Sequence, residues 1–145
     1  MAKATPDQMA RFFFQSLGQL NFVACWNMFS RQSQRKFLDW TLGILYQRHE
    51  KAAKEAKIGL AEVKFMFETS DPKLIQPFWR RFIAQSQAYK IARYAYFETL
   101  ESNGRMATVK ALMKLPNGQE EARNLVMVKE LNTWKFGYFE SGFPF

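Results

Sequence analysis

Thiols and imidazoles are almost missing from this chain. Cys25 is the only cysteine and His49 the only histidine among 145 residues. One thiol cannot close an internal disulfide or build a multi-thiolate zinc site, and one imidazole gives little to a metal cluster or a Ser-His-Asp triad. Charge is sparse as well: 23% of residues are charged, below what a coiled coil carries. No apolar run approaches the roughly 20 residues of a membrane span. No Gly-rich phosphate loop, metal-spaced ligand pair or nucleophile elbow occurs. The opening residues, Met1 to Asp7, do not read as a signal peptide, and Phe12-Phe13-Phe14 is too short for a signal core. The expectation is a soluble protein of the reducing cytoplasm that needs no metal and no cofactor.

What the chain has in quantity is aromatic side chains. They make up 17% of residues, with 15 Phe, inside a hydrophobic total of 48%. That suits one packed domain over residues 1–145 and argues against disorder. The net charge is +8, and nearly all of it, +7, falls within residues 1–100. Such an excess can attract an anionic partner. The preferred reading is a solvated helical surface, because no signature of a standard nucleic-acid module is present. Nucleic acid is expected to bind weakly and without sequence preference, if at all.

The periodicity changes along the chain. Residues 1–88 read as mainly helical, 89–140 as an antiparallel meander and 141–145 as a tail. Thr5-Pro6-Asp7-Gln8 has the form of a capped helix start, and the helix it opens carries Met9, Phe12, Phe13 and Leu17 on one face and ends at Gly18. A second, buried helix is expected over Leu20 to Phe29. Ser30 or Ser33 caps a third, with Phe37, Thr41, Ile44 and Leu45 as its stripe. Arg48 to Lys57 continues as helix, with Glu50 and Lys54 suitably spaced, and Gly59 breaks it. Leu60 to Phe67 adds another turn or two. Ser70-Asp71-Pro72 opens a last helix to about Ala88, with Leu74, Phe78, Phe82 and Ile83 inward.

Asn103-Gly104 and Asn117-Gly118 read as two-residue hairpin turns. Those turns set Glu98 and Val126 opposite Val109, and Lys114 beside Glu121. The inner sheet face is then Tyr94, Tyr96, Glu98 and Leu100 on the first strand. It continues as Ala107, Val109, Ala111 and Met113 on the second, and as Ala122, Asn124, Val126 and Val128 on the third. The outer face carries Phe97, Leu112, Leu125 and Met127, a cluster expected to form a homodimer interface. A three-residue loop, Leu131-Asn132-Thr133, with Asn132 left-handed, turns Trp134, Phe136 and Tyr138 inward. The fold class is therefore α+β, with N-terminal helices packed in the concavity of a curved antiparallel sheet.

Two segments carry a family likeness. Ala24-Cys25-Trp26-Asn27-Met28-Phe29-Ser30, followed by Ser33 and Arg35, resembles the second-helix segment of nuclear-transport-factor-2-like domains, the cystatin-like cones. Val128-Lys129-Glu130-Leu131-Asn132-Thr133-Trp134-Lys135-Phe136 is similar to their hairpin ending. The likeness covers most of the chain and thins between Arg48 and Phe67, where extra helix is expected. It implies a cone with a pocket at the wide end, and often a dimer, but no particular function. Its enzymes place Tyr, Asp or His inside the cone. This chain has Phe12, Phe13 and Phe14 where a catalytic Tyr would stand.

The residues expected to line such a pocket are Trp26, Tyr94, Tyr96 and Glu98 from the first part of the cone. Asn124, Trp134 and Tyr138 complete it. Glu98 is the one catalytic candidate, a general base with Tyr94 or Tyr96 as donor in an isomerase- or dehydratase-type reaction; a solvated carboxylate at the rim is the simpler reading. Asp39 and His49 fall on different helix faces and form no dyad. Cys25 reads as a buried, inert thiol. The function expected is non-catalytic: a domain that holds a small apolar ligand or a partner chain. Proton-transfer catalysis is the first alternative, and an adaptor for an anionic surface the second.

Overall fold

The computed structural model describes residues 3–71 and 75–144. Among these, the helices are α1 (Pro6–Gly18), α2 (Phe22–Met28), α3 (Arg31–Arg48), α4 (Glu50–Glu55), α5 (Leu60–Thr69), α6 (Gln76–Ser86) and α7 (Ala88–Tyr94). The strands are β1 (Ala95–Ser102), β2 (Met106–Lys114), β3 (Glu120–Glu130) and β4 (Thr133–Gly137), in the sheet order β1-β2-β3-β4. All pairings are antiparallel. The protein is an α+β fold with helices packed on a curved sheet.

Capping explains where the helices begin. Thr5 Oγ1 accepts from the Gln8 N–H while Gln8 Oε1 accepts from the Thr5 N–H, the reciprocal box that frees α1 from orphan donors. Its buried face is turned from the expected one: Ala10, Phe13, Phe14 and Leu17 are buried, and Phe12 is 48% exposed. Leu20 is left-handed and exposed, so α2 is shorter than expected and starts after an Asn21 cap. Ser30 caps α3. His49, at φ −137°, interrupts the expected continuous helix, and α4 restarts at Glu50, where the Glu50–Lys54 pair forms at 2.6 Å.

The next helix boundaries also differ from the sequence reading. Ser70 is left-handed and ends α5 instead of opening a helix; α6 begins at Gln76. Pro72 and Leu74 lie outside the described residues. Gln87 is left-handed too, and residues 88–94 then form α7 where the start of the meander was expected.

The sheet corrects all three hairpin registers, each by one residue. In the first hairpin the tight turn centres on Gly104-Arg105, with the Asn103 N–H on the Met106 carbonyl. That shift alone moves the pairing by two and keeps the faces. A bulge between Thr99 and Glu101 then adds the odd residue. Glu98 consequently pairs with Lys110, and Phe97 with Ala111. Two reciprocal hydrogen bonds between Asp7 and Thr99 fix the inward side of β1 just before the bulge.

In the second hairpin Pro116 takes the first corner of a turn, the Gly118 N–H returns to the Leu115 carbonyl, and Gly118 is left-handed at φ +85°. This is a three-residue loop, because proline favours that corner and glycine accepts the positive φ. Val109 therefore faces Leu125, and Lys114 faces Glu120; Glu121 pairs with Lys90 instead. Parity reverses on β3 as on β1, because side chains alternate strictly. Of the first three strands only β2 keeps its expected inner set, Ala107, Val109, Ala111 and Met113, all buried. The last hairpin has a two-residue loop, Leu131-Asn132, both left-handed. Its slip cancels that of β3, so Trp134, Phe136 and Tyr138 are buried as expected.

The interior is filled with rings. Phe29 lies at the centre, with Phe37, Phe13, Phe82 and Trp79 at centroid distances of 4.9, 5.2, 5.5 and 5.9 Å. Phe136 of β4 closes on it at 6.1 Å, and Trp26 stacks on Phe67 at 4.1 Å. Aromatic pairs of this kind add about 0.5–1.5 kcal/mol beyond their buried area. Cys25 lies in this core with its Sγ–H towards the Phe13 carbonyl, and burial pushes its thiol up to about 12. A thiol-specific disulfide reagent at pH 8 is expected to leave native Cys25 untouched and to label it after unfolding. Rapid stoichiometric labelling of the native protein would contradict the packing. Because the raised group is neutral when folded, stability is complete below about pH 9 and declines as the pH climbs towards 12. Tyr138, also raised to about 12 chiefly by burial, adds to the same alkaline decline.

Candidate functional site

The one-residue slips disperse the expected pocket. Trp26, Trp134 and Tyr138 belong to the packed core, at 1%, 8% and 0% exposure. Tyr94 ends α7, half-buried, with Arg93 over its ring. Tyr96, Glu98 and Asn124 are exposed on the outer sheet face. Glu98 is therefore an exposed carboxylate paired across the strands with Lys110. The expected dimer cluster is dispersed as well. Leu125 and Met127 are fully buried against the helices and Phe97 stacks on Phe14, which leaves only Leu112 outside. For Tyr96, Glu98 and Phe97 the physical cause is the bulge at Leu100, and for Asn124, Leu125 and Met127 it is the three-residue loop at Pro116.

The corrected outer face still has an apolar character. Tyr96 is 68% exposed and Leu100 50%, with Leu112, Val126 and Val128 half-buried beside them. Its charges alternate in cross-strand pairs, Glu98 with Lys110 and Glu120 with Lys114. Lys114 Nζ lies 5.6 Å from the Tyr96 ring centre.

A second feature arises where α3 and α6 diverge. The stripe on α3 is wider than α6 can cover. Phe37 and Leu45 are buried, while Trp40 and Ile44 are left half-buried along one wall. Pro77 and Phe78 form the facing wall, and the cleft between them holds about 450 Å³. Arg81 places its guanidinium 5.3 Å from the Trp40 ring centre, which holds the cation over an aromatic face. Arg48 and His49 stand at the end of α3, exposed, and complete the rim. The described lining contains no carboxylate.

Beneath this cleft lies a polar group that the fold does not satisfy. Thr41 is 4% exposed and its hydroxyl has no hydrogen-bond partner among the described residues. Leaving a hydroxyl buried and unpaired costs about 1–3 kcal/mol. The indole N–H of Trp79, 1% exposed, also has no hydrogen-bond partner among the described residues. The α3 stripe was legible in the sequence through Phe37, Thr41, Ile44 and Leu45. Its meeting with Arg81 was not, because that depends on how α6 packs from a distant part of the chain. Among the described residues no group of His, Cys, Asp and Glu side chains could hold a metal ion, and no helix is long and apolar enough to cross a membrane.

No protein-family model, curated protein or solved structure matches the chain.

Proposed function

We propose that this chain is a non-catalytic assembly domain of the nuclear-transport-factor-2-like kind, and that it pairs with a second copy through the outer face of its sheet. The observation that carries the reading is the filled interior. Trp26, Phe29, Phe82, Phe136 and Tyr138 occupy the space where a cone would keep a pocket. What the protein binds, it then binds from its surface. The outward position of Glu98 beside Lys110 supports this reading over proton-transfer catalysis.

Self-pairing suits this face for two reasons. Alternating Glu and Lys pairs present both signs, so the face has no single-sign patch to repel a second copy. The sheet measures about 20 by 30 Å, of the order of 600 Å² in projection, and side-chain relief brings it near the roughly 800 Å² per partner of a standard interface. Sedimentation equilibrium at tens of micromolar is expected to show a dimer. Leu112→Glu, at a half-buried outward position, should yield monomer with an unchanged circular-dichroism spectrum. A wild-type monomer under those conditions would refute the proposal.

A further inference from the structure

The corner between α6 and α7 carries an apolar groove that the dimer face does not explain. We infer that it docks an acidic amphipathic helix of a partner protein, whose apolar side chains lie on Ile83, Ala84 and Tyr89 and whose flanking carboxylate meets Arg80. This site is separate from the outer sheet face, and neither reading rests on the other.

The groove follows from the way α6 divides its faces. Phe78, Trp79 and Phe82 are buried. Arg80, Ile83, Ala84 and Gln87 recur at i, i+3, i+4 and i+7 and line the groove together. Gln87, left-handed at φ +54°, turns the chain into α7, and Tyr89 and Lys90 then supply the other wall of an open space of about 450 Å³. Tyr89 is 63% exposed, and no hydrogen bond or ring contact engages it among the described residues. Single apolar residues on a surface need no explanation. Here an exposed ring, an aliphatic pair and an arginine meet, and Tyr and Arg are the side chains that most often dominate binding energy at interfaces.

The charge of this region has one sign. Residues 76–97 include Arg80, Arg81, Lys90 and Arg93 and no acid, which is half of the chain's net +8. Lys90 is held by Glu121 of β3 at 3.3 Å. Arg80 is exposed and has no ion pair among the described residues, so it is the cation on offer. Its guanidinium suits a carboxylate bidentately. It also lies more than a turn before the carbonyl end of α6, beyond the reach of the partial negative charge there.

The same features select the occupant. The lining belongs to two helices and the corner between them, so an extended peptide finds no strand edge to pair with. A helix arrives with its backbone bonds already made. A second copy brings its own +8, which opposes approach to a cationic corner. A nucleic-acid strand needs a run of stacking rings and cations, whereas the described lining offers one ring, Tyr89, and one unpaired cation, Arg80.

The test uses a synthetic amphipathic helix of about 18 residues, long enough to fold alone, with leucine at i, i+3, i+4 and i+7 and glutamate flanking that stripe. A twin peptide carries lysine in place of glutamate. Fluorescence anisotropy of the labelled peptide follows binding, and the backbone amide spectrum of the full chain locates it. The glutamate peptide is expected to bind saturably, moving the amides of residues 83–90 and leaving those of β2 still. Tyr89→Ala should weaken it about tenfold. Arg80→Glu should weaken it by at least about tenfold and bring in the lysine twin, an exchange that unfolding cannot produce. Both positions are exposed, so circular dichroism should not change. Leu112→Glu should leave the titration unaltered, which distinguishes failure of this site from failure of the sheet-face reading. Equal affinity of the wild type for both peptides would overturn the inference, as would amide shifts centred on the sheet. So would oligothymidine or phosphatidylserine vesicles displacing the glutamate peptide at lower concentration, which would make the corner a nucleic-acid or membrane site.

Discussion

Phe29→Ala is expected to cost about 4 kcal/mol of unfolding free energy, the upper range for removing a buried ring. For a domain of this size that lowers the melting temperature by roughly 8–16 °C. The expectation rests on position. Phe29 is 1% exposed and touches rings from α1, α2, α3, α6 and β4, namely Phe13, Trp26, Phe37, Phe82 and Phe136. Its surroundings are held from five directions and cannot collapse into the space left behind, so the cavity penalty is paid in full. Phe12→Ala serves as the control. It removes the same ring from the same protein, but from a position 48% exposed, and should cost less than about 1 kcal/mol. Denaturant unfolding followed by circular dichroism separates the two. Similar losses for both variants would mean that the rings act through general hydrophobicity and that Phe29 has no central role.

The second large effect is expected at Ser33. Its hydroxyl is fully buried, accepts the Tyr138 N–H at 2.9 Å and the Ser30 hydroxyl at 3.0 Å, and donates to Glu140 at 3.1 Å. It thus joins the start of α3 to the turn after β4. Ser33→Ala takes from a buried backbone N–H and from a half-buried carboxylate the hydroxyl they share, for a loss of about 3 kcal/mol. Ser30→Ala removes the cap of α3, and caps are worth about 1–2 kcal/mol. If the two substitutions cost the same, the serines would be an ordinary helix cap and the junction to the C-terminal segment would carry little stability.

Sequence reading succeeds where a residue's role is local. Thr5 with Gln8, and Ser30 ahead of Ser33, act within one helical turn, so their roles follow from spacing. The inward set of β2 was legible for a related reason: Ala107, Val109, Ala111 and Met113 alternate without interruption. The neighbouring strands were not, because parity can change at a single residue. Pro116 did carry the signal for a three-residue loop, and giving it the weight of Asn117-Gly118 would have set β3 correctly. Nothing comparable marks Leu100. Its bulge adjoins Thr99, which Asp7 holds from across most of the chain, and no local pattern encodes that contact. The α3–α6 cleft was hidden likewise. Trp40 and Arg81 are each unremarkable surface-helix residues until two helices place one over the other.

The ring cluster also has a bearing on synthesis. Phe13 emerges from the ribosome early, and Phe136, which packs on it at 4.7 Å, emerges near the other end. At roughly 5–20 residues per second, the interval is long compared with the microseconds in which α1 itself forms. Throughout that interval the helix shows Phe13 and Phe14 to whatever is nearby. The nascent N-terminal half thus keeps an incompletely covered apolar face until β4 arrives. A slow stretch of translation placed between α7 and β4 would lengthen the exposure without altering a single contact of the finished protein.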